Sequence, residues 1–552
     1  MGQAREIPAS PPKPAPFARR WRPSVSPAVM NIAVASFIML ADNRTFWRRG
    51  VEIFDESRFS LAMFGVAVWG LTLFLMTLFG FRWLRKPVAV FLLLVSAVTS
   101  YFMDTLGVMI DRDMIQNAAT TTVNESKHLL TPDFMLHVLL WGLLPAAIVL
   151  WVRVRPRGFR RDLLGWAGMS VASLALVLGL LAINFKTFSA VLRERKELIG
   201  SYQPGAPLGG AFQYADMMMK SRDVTVAPLG LDAAKGPQLR DAGKPVLTVL
   251  VVGETARAQN FGLNGYARDT TPELAARDVI NFPDVSSCGT ATAVSMPCMF
   301  SALGRARYSY ERGKGNENLL DVLNHAGVKV TWWDNNTGDK GVADRVESAA
   351  VTAVVPPCDG ECTDEVFLDL VRRRMAEMTE DTVLVLHQIG SHGPAYYLRY
   401  PKDRERFTPA CHSAEFAECT GEEIVNAYDN SILYTDHTLA ALIDLLAGQD
   451  KVIPALLYVS DHGESLGENG LYLHGAPYFM APATQTHVPM MMWLSDAYTA
   501  AFGVDTACLR AEALKPASHD NLFSSVLGLM DITTSAKGVG ADLISACRKT
   551  AS

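Results

Sequence analysis

At 552 residues, with 49 % hydrophobic and 19 % charged side chains, the chain is too long for one ordinary domain and too apolar to be disordered. Its formal net charge of −5, with no basic stripe interleaved with aromatics beyond the apolar half, argues against a nucleic-acid partner. The halves differ: long apolar segments crowd the part up to Leu181, and the remainder has the mixed composition of a soluble enzyme.

Five segments, near residues 25–41, 60–81, 87–110, 134–152 and 164–183, are apolar enough to cross a hydrocarbon layer of about 30 Å. The first is the shortest and has the look of a signal peptide. No Ala-rich cleavage site follows it, so it is expected to be a retained helix. Lys and Arg in the short flanks orient the set. Arg5, Lys13, Arg19, Arg20 and Arg22 precede span one, and Arg82, Arg85 and Lys86 follow span two. Arg153, Arg155, Arg157, Arg160 and Arg161 follow span four. These three clusters belong on the cytoplasmic face, and an odd number of spans then delivers the rest of the chain to the other side. Arg193, Arg195 and Lys196 break the pattern, a rule that long translocated domains largely escape.

Beyond span three, Asn117, Thr121 and Glu125 recur every four residues and are expected on one helical face. Spacing alone gives a solvated loop helix. Residues 186–201 carry apolar positions at helical spacing between Arg and Lys, which predicts an amphipathic helix on the outer surface. Residues 202–210, rich in Pro and Gly, are expected to form a linker. The expected division is a five-helix membrane domain over 1–185, a bridge over 186–244 and a catalytic domain over 245–552.

In the soluble half, apolar runs at 246–252, 328–333, 382–386 and 454–459 predict core strands of an α/β domain. Each stops at polar residues. The first leads to Glu254, and the second to Asp334, Asn335, Asn336, Thr337 and Lys340. The third leads to His387 and His392, and the fourth to Asp461 and His462, with His474 following. Chemistry gathers beyond the carboxyl ends of such strands. Two carboxylates and an imidazole there suit Zn²⁺ with a position open for a substrate oxygen. Solvated charge at ordinary strand ends would explain one such strand but fits two poorly.

Thr290 and Thr292, in SSCGTATAVSMPCMFSALG, precede a run with helical character. A hydroxyl there is either an N-cap or a nucleophile. Beside a metal constellation, the inferred reaction is phosphoryl or sulfuryl transfer through a Thr ester. Lys340, His392 and His474 would then stabilise charge or move protons. His128, His137, His325, His437 and His519 are expected to be structural.

All eight cysteines follow residue 287. Proximity pairs Cys288 with Cys298, Cys358 with Cys362 and Cys411 with Cys419, leaving Cys508 for Cys547. Such pairing predicts disulfides in an oxidising compartment. A zinc-thiolate cluster would favour a CxxC repeat that these spacings lack.

With these residues laid out, the chain closely resembles the lipid A phosphoethanolamine transferases, which include the colistin-resistance enzymes. The resemblance covers nearly the whole chain. It is carried, in order, by GETARAQNFGLNGYARDTTPEL, SCGTATAVSMPCMFS, DNNTGDKGV, GSHGPAY and SDHGESLGENGLYLHG. It implies five membrane helices and an alkaline-phosphatase-like, sulfatase-like α/β domain in the periplasm of a Gram-negative inner-membrane protein. The implied zinc ligands are Glu254, the nucleophile Thr292, Asp461 and His462. Lys340, His392 and His474 match the family's further site groups. Asn117, Thr121, Glu125, Asn336 and Thr337 match its ethanolamine-lipid contacts. Phosphatidylethanolamine is the implied donor and a lipid A phosphate the acceptor, a change that lowers surface negative charge and gives polymyxin resistance. A monomer is expected. Where the family often has Cys on either side of KGV, this chain has Asp339 and Ala343, so one bridge is expected to be missing.

Rival readings remain open on sequence grounds. A sulfatase needs Cys or Ser in C/S-x-P-x-R, and SMPCM lacks the Arg. A phosphoglycerol transferase shares five spans and a Thr but prefers manganese. An inner-core lipopolysaccharide sugar or a periplasmic glucan could replace lipid A as acceptor. A non-enzymatic receptor or transporter would not need Glu254, Asp461 and His462 together.

Overall fold

The computed structural model describes residues 22–549 except 56, 123–126 and 359. Arg5, Lys13, Arg19, Arg20 and Glu125 therefore lie outside the described residues. Five apolar helices form the amino-terminal bundle: α1 (Pro27–Ala41), α3 (Arg58–Phe79), α4 (Arg85–Leu106), α6 (Pro132–Trp151) and α7 (Phe159–Ile183). Four are long enough to span a bilayer, and α1, with 15 residues, is the short one. Helices α3 and α4 are the most enclosed, whereas α6 and α7 expose Leu139, Leu140, Leu143, Val171 and Leu178. That exposure is what a lipid-facing surface requires. In α6, Pro145 lacks a donor, and the π-helical turn Val138–Leu143 just before it absorbs the break.

One end of the bundle gathers the basic turns. Ser24 and Val25 pair with Arg153 and Val154, Lys86 Nζ donates to the Leu150 and Val152 carbonyls, and Arg85 lies 3.9 Å from Asp162. The other end carries α2 (Arg44–Ile53), α5 (Arg112–Thr120), α8 (Phe185–Glu194) and α9 (Lys196–Gly200), and meets the outer domain. The expected surface helix over 186–201 is thus two helices broken at Arg195.

The segment expected to be a linker is not one. Tyr202 is buried, its hydroxyl 2.6 Å from Thr72 Oγ1, and helix α10 (Gly205–Lys220) follows at once. The glycines serve packing instead of flexibility: a Cβ on Gly210 would lie 2.7 Å from the Asp111 backbone. The shared helical face expected for Asn117, Thr121 and Glu125 also stops short. Helix α5 ends at Thr120, and Thr121 turns extended with its hydroxyl donating to the Asn117 carbonyl at 2.8 Å.

The outer domain is built on an eight-stranded sheet. In chain order its strands are β1 (Val246–Gly253), β2 (Ile280–Ser286), β3 (Lys329–Asp334), β4 (Glu347–Ala350), β5 (Thr382–His387), β6 (Ile453–Ser460), β7 (His487–Leu494) and β8 (Ala517–Ser518). The spatial order is β8-β2-β7-β6-β1-β5-β3-β4, and only β7 runs antiparallel to its neighbours. Strands β1, β5 and β6 are buried throughout, as continuous apolar runs covered on both faces should be. The four strands expected from sequence are β1, β3, β5 and β6, each within a residue at either end. Strand β7 escapes notice because Pro489 interrupts its apolar run, and the register shifts there between Val488 and Met490.

The eight cysteines form Cys288–Cys298, Cys358–Cys362, Cys411–Cys419 and Cys508–Cys547, all in the outer domain.

Candidate metal centre and phosphoryl-transfer site

The parallel register of β1 with β5 and β6 brings three strand ends to one edge of the sheet. Glu254 leaves β1, Asp461 and His462 leave β6, and all three are fully buried. The chain turns sharply at once, with Thr255 at φ 60°. Gly390 crosses so close that a Cβ there would lie 2.5 Å from the Glu254 carbonyl oxygen, and its φ of +50° also favours glycine.

Donor atoms of Glu254, Asp461 and His462 lie within 4.8 Å of one another. His462 Nε2 is 3.4 Å from Glu254 Oε1 and 3.4 Å from Asp461 Oδ2. His462 Nδ1 faces the Gly463 carbonyl at 2.9 Å, so the proton sits on Nδ1 and Nε2 presents its lone pair inward. Asp461 Oδ2 is buried with no hydrogen-bond donor among the described residues. Burial and the neighbouring Glu254 carboxylate push Asp461 up to about 6. Burial also works against charge on Glu254, but His462, His392 and His474 outweigh it and hold that carboxyl low. Two buried carboxylates and an inward imidazole lone pair form a donor set that a divalent cation satisfies and that little else does.

Thr292 opens helix α11 (Thr292–Met299). Its hydroxyl donates to Glu254 Oε2 at 3.1 Å and lies 3.3 Å from His462 Nε2. It does not cap its helix; the N-cap is Ala291, without a side-chain bond. Thr290 points elsewhere, its hydroxyl donating to the Ala476 carbonyl at 2.7 Å. The two threonines that sequence leaves as alternatives are thus separated by geometry. The bridge Cys288–Cys298 spans this loop, and Cys288 N donates to His519 Nδ1 at 3.0 Å. His519 Nε2 lies 2.9 Å from the Ser460 carbonyl, so this buried histidine ties the loop before Thr292 to the end of β6. Burial holds it down to about 4, which keeps it neutral.

His474 and His392 meet edge to face beside the centre, their ring centroids 5.5 Å apart and His474 4.4 Å from His462. Burial opposes charge on His474, but Glu464, 2.9 Å from Nδ1, raises it above the ordinary imidazole value. Tyr396 donates to the other oxygen of Glu464 at 2.6 Å. Sequence reasoning missed Glu464, although it stands three residues after Asp461 in SDHGES. It also missed the pair His387–Asp334, whose Nδ1···Oδ2 distance is 2.7 Å.

Asn336, expected as a lipid contact, donates through Nδ2 to Glu254 Oε2 at 2.7 Å and to the Gln388 carbonyl at 2.9 Å. Lys340, at φ 53°, donates to the Thr337 carbonyl at 2.7 Å and the Thr120 carbonyl at 3.1 Å. The latter bond joins the two halves of the protein. No disulfide braces this stretch: Ala343 is buried in the core, and Asp339 accepts from Gly341 N at 2.8 Å.

Asn117, Thr121, His392 and His474 share the wall of a cavity of about 200 Å³. Phe102, Leu106, Val108, Ile110 and Met114 make the rest of its lining largely apolar. His128, His137, His325 and His437 bond to Glu361, Ser100, Glu317 and Glu273 respectively.

Residues 247–532 match the sulfatase family model, and residues 68–218 match a family described as phosphoethanolamine transferase EptA/EptB. Phosphoethanolamine transferase EptA of Escherichia coli K12 is 39 % identical over 538 residues, covering 96 % of this chain and 98 % of that protein. Phosphatidylethanolamine transferase Mcr-1 of Escherichia coli is 38 % identical over 538 residues, covering 93 % and 96 %. The integral membrane lipooligosaccharide phosphoethanolamine transferase A of Neisseria meningitidis superposes with a TM-score of 0.91 at 36 % identity, covering 96 % of this chain and 100 % of that one. Collinear with such relatives from its membrane helices to its sulfatase-type sheet, the chain belongs to the phosphoethanolamine transferases.

Proposed function

We propose that the protein moves phosphoethanolamine from phosphatidylethanolamine to a phosphate of lipid A through a covalent ester on Thr292. The observation that carries this reading is the position of the Thr292 hydroxyl, 3.1 Å from Glu254 Oε2 and 3.3 Å from His462 Nε2, at the start of a helix. Glu254, Thr292, Asp461 and His462 would hold Zn²⁺. When bound, the zinc ion supplies Lewis acidity that favours the ionised Thr hydroxyl and offsets phosphate charge.

In the first step Thr292 Oγ1 forms a bond to the donor phosphorus, and the bond to the diacylglycerol oxygen breaks. The leaving oxygen takes a proton from His474, whose charged form Glu464 favours, or from its neighbour His392, and the proton that Thr292 gives up replaces it. In the second step a lipid A phosphate oxygen gives up its proton and attacks the same phosphorus, and Thr292 leaves and takes up that proton. Lys340 stands at the join of the halves to offset anionic charge. The apolar cavity at Asn117 and Thr121 suits the glycerol and acyl end of the donor, with Glu125, Asn336 and Thr337 assigned to the headgroup. On this reading residues 1–185 are the membrane domain, 186–244 the bridge and 245–552 the periplasmic catalytic domain. The product carries less negative charge, which lowers the affinity of a cationic polymyxin.

Mass spectrometry of lipid A from a Gram-negative host expressing the chain tests the proposal. Wild type should add phosphoethanolamine and Thr292→Ala should add none. Addition by Thr292→Ala would overturn the covalent step, and glycerol phosphate in place of phosphoethanolamine would overturn the substrate.

A further inference from the structure

A second cavity, of about 500 Å³, lies beside the first and has different chemistry. It opens between α2, which connects the first two spans, and the segment 468–482 of the outer domain. Its lining includes Arg48, Arg49 and Glu52 on one side and Leu471, Ala476 and Met480 on the other.

The wall between the two cavities is the short extended stretch after α4. Leu106, Val108 and Ile110 line the apolar cavity, and Gly107 and Met109 line the polar one. This alternation is what an extended chain gives, with successive side chains on opposite sides. Gly107 is required there: at φ +71° a Cβ would lie 2.7 Å from the Gly470 carbonyl oxygen. The wall of the polar cavity is bonded to the loop before Thr292. Ala476, in its wall, accepts from Thr290 Oγ1 at 2.7 Å, and Gly475 N donates to the Thr290 carbonyl at 2.7 Å. Thr292 is two residues on.

The charge of this cavity is cationic on balance. Arg48 is exposed and makes no hydrogen bond or ion pair among the described residues. Arg49 spends one donor on the Glu197 carbonyl at 2.9 Å. Of the acids, Glu468 is taken up by Arg257 at 2.6 Å, which leaves Glu52 against Arg48 and Arg49. Because α2 leaves the bundle between spans one and two, these cations sit at the outer membrane surface, where a lipid-borne phosphate would arrive.

We propose that this cavity seats the phosphorylated headgroup of the acceptor glycolipid, with Arg48 as its principal phosphate contact. The inference rests on the transfer reading above and extends it: donor and acceptor reach Thr292 from opposite sides of the Leu106–Ile110 partition. Arg48 and Arg49 bind phosphate by charge-assisted hydrogen bonds.

Native mass spectrometry of the full-length protein in detergent, with no donor present, is the test. Bis-phosphorylated lipid A should bind wild type, and Arg48→Gln should weaken that binding about tenfold. Dephosphorylated lipid A should bind both forms equally and weakly. Phosphatidylglycerol should not displace lipid A from wild type at equal concentration. Equal binding of lipid A by wild type and Arg48→Gln would overturn the proposal, as would failure of wild type to bind it. Displacement by phosphatidylglycerol would overturn it too, by making the cavity a seat for any anionic lipid. Since turnover is not measured, Arg48-dependent binding by a wild type that transfers nothing would sink the functional reading and leave the cavity assignment standing.

Discussion

The membrane half and the outer half of this protein are held together by different means. The outer half has central strands buried on both faces, four disulfides and ion pairs among its strand ends. The membrane half has no cysteine and few buried charges, and its apolar helices present much of their surface outward. Between them run single polar contacts: Tyr101 to Glu415 at 2.9 Å, Gln116 to the Ala293 carbonyl at 3.2 Å, and His128 to Glu361 at 3.0 Å. The contrast teaches a division of labour. On the proposed function the rigid half fixes the reacting groups and the apolar half brings lipids to them, across a seam where Leu106 and Val108 enter the outer core.

The sharpest way to break this division is at the metal ligands. Asp461→Asn should remove bound zinc and cut lipid A modification by more than about a thousandfold. Metal analysis of the purified protein checks it, and stoichiometric zinc in the variant would show that the centre does not need this carboxylate. Chelation of wild type should have the same effect and be reversed by zinc.

Next in size is separation of the halves. The outer domain alone, from Pro245, should still hydrolyse a small phosphate ester, because its centre is complete. Its transfer to lipid A should fall about a hundredfold or more, since positioning is lost. Transfer at the full-length rate would show the bundle to be a mere anchor.

Reduction should separate the halves further. Dithiothreitol should lower the unfolding temperature of the outer domain markedly, since a native disulfide contributes about 2–5 kcal/mol. The helicity of the bundle should be untouched. Parallel melts followed by circular dichroism in both redox states decide it.

The smallest effect concerns Asp436, in the long helix Gly421–Ala447. Its carboxylate accepts from Glu273 N at 2.9 Å and Leu274 N at 2.8 Å, and burial pushes it up to about 7. A raised carboxyl contributes stability that is full below its unfolded value and lost as pH rises through the folded one. The outer domain should therefore lose a few degrees of melting temperature between about pH 4 and pH 7, and Asp436→Asn should flatten that slope. A slope unchanged in the variant would assign the pH dependence to other groups.

Legibility followed the same boundary. Strands β1, β3, β5 and β6 could be read to within a residue because each is a local apolar run ending in charge. Strand β7, with Pro489 inside it, could not. The candidate metal group, Glu254, Asp461 and His462, was readable because its members follow directly on such runs. Glu464 was not singled out, since its role comes from meeting His474 across a turn. Residues 202–210 misled for a related reason. Gly and Pro permit a flexible chain, but here they permit close contact, with Gly210 against the Asp111 backbone.

The order of apolar runs, the motifs at their ends and the near-neighbour cysteines are properties of short stretches, so the sequence alone determined the two-part plan, the four central strands and the disulfide partners. Which hydroxyl faces the metal donors, which carboxylate backs which histidine, and how Leu106–Ile110 parts two cavities depend on register and on packing between residues hundreds of positions apart. Only the tertiary structure could decide these, because a side chain's partner is set by where the backbone returns, and no local pattern encodes that return.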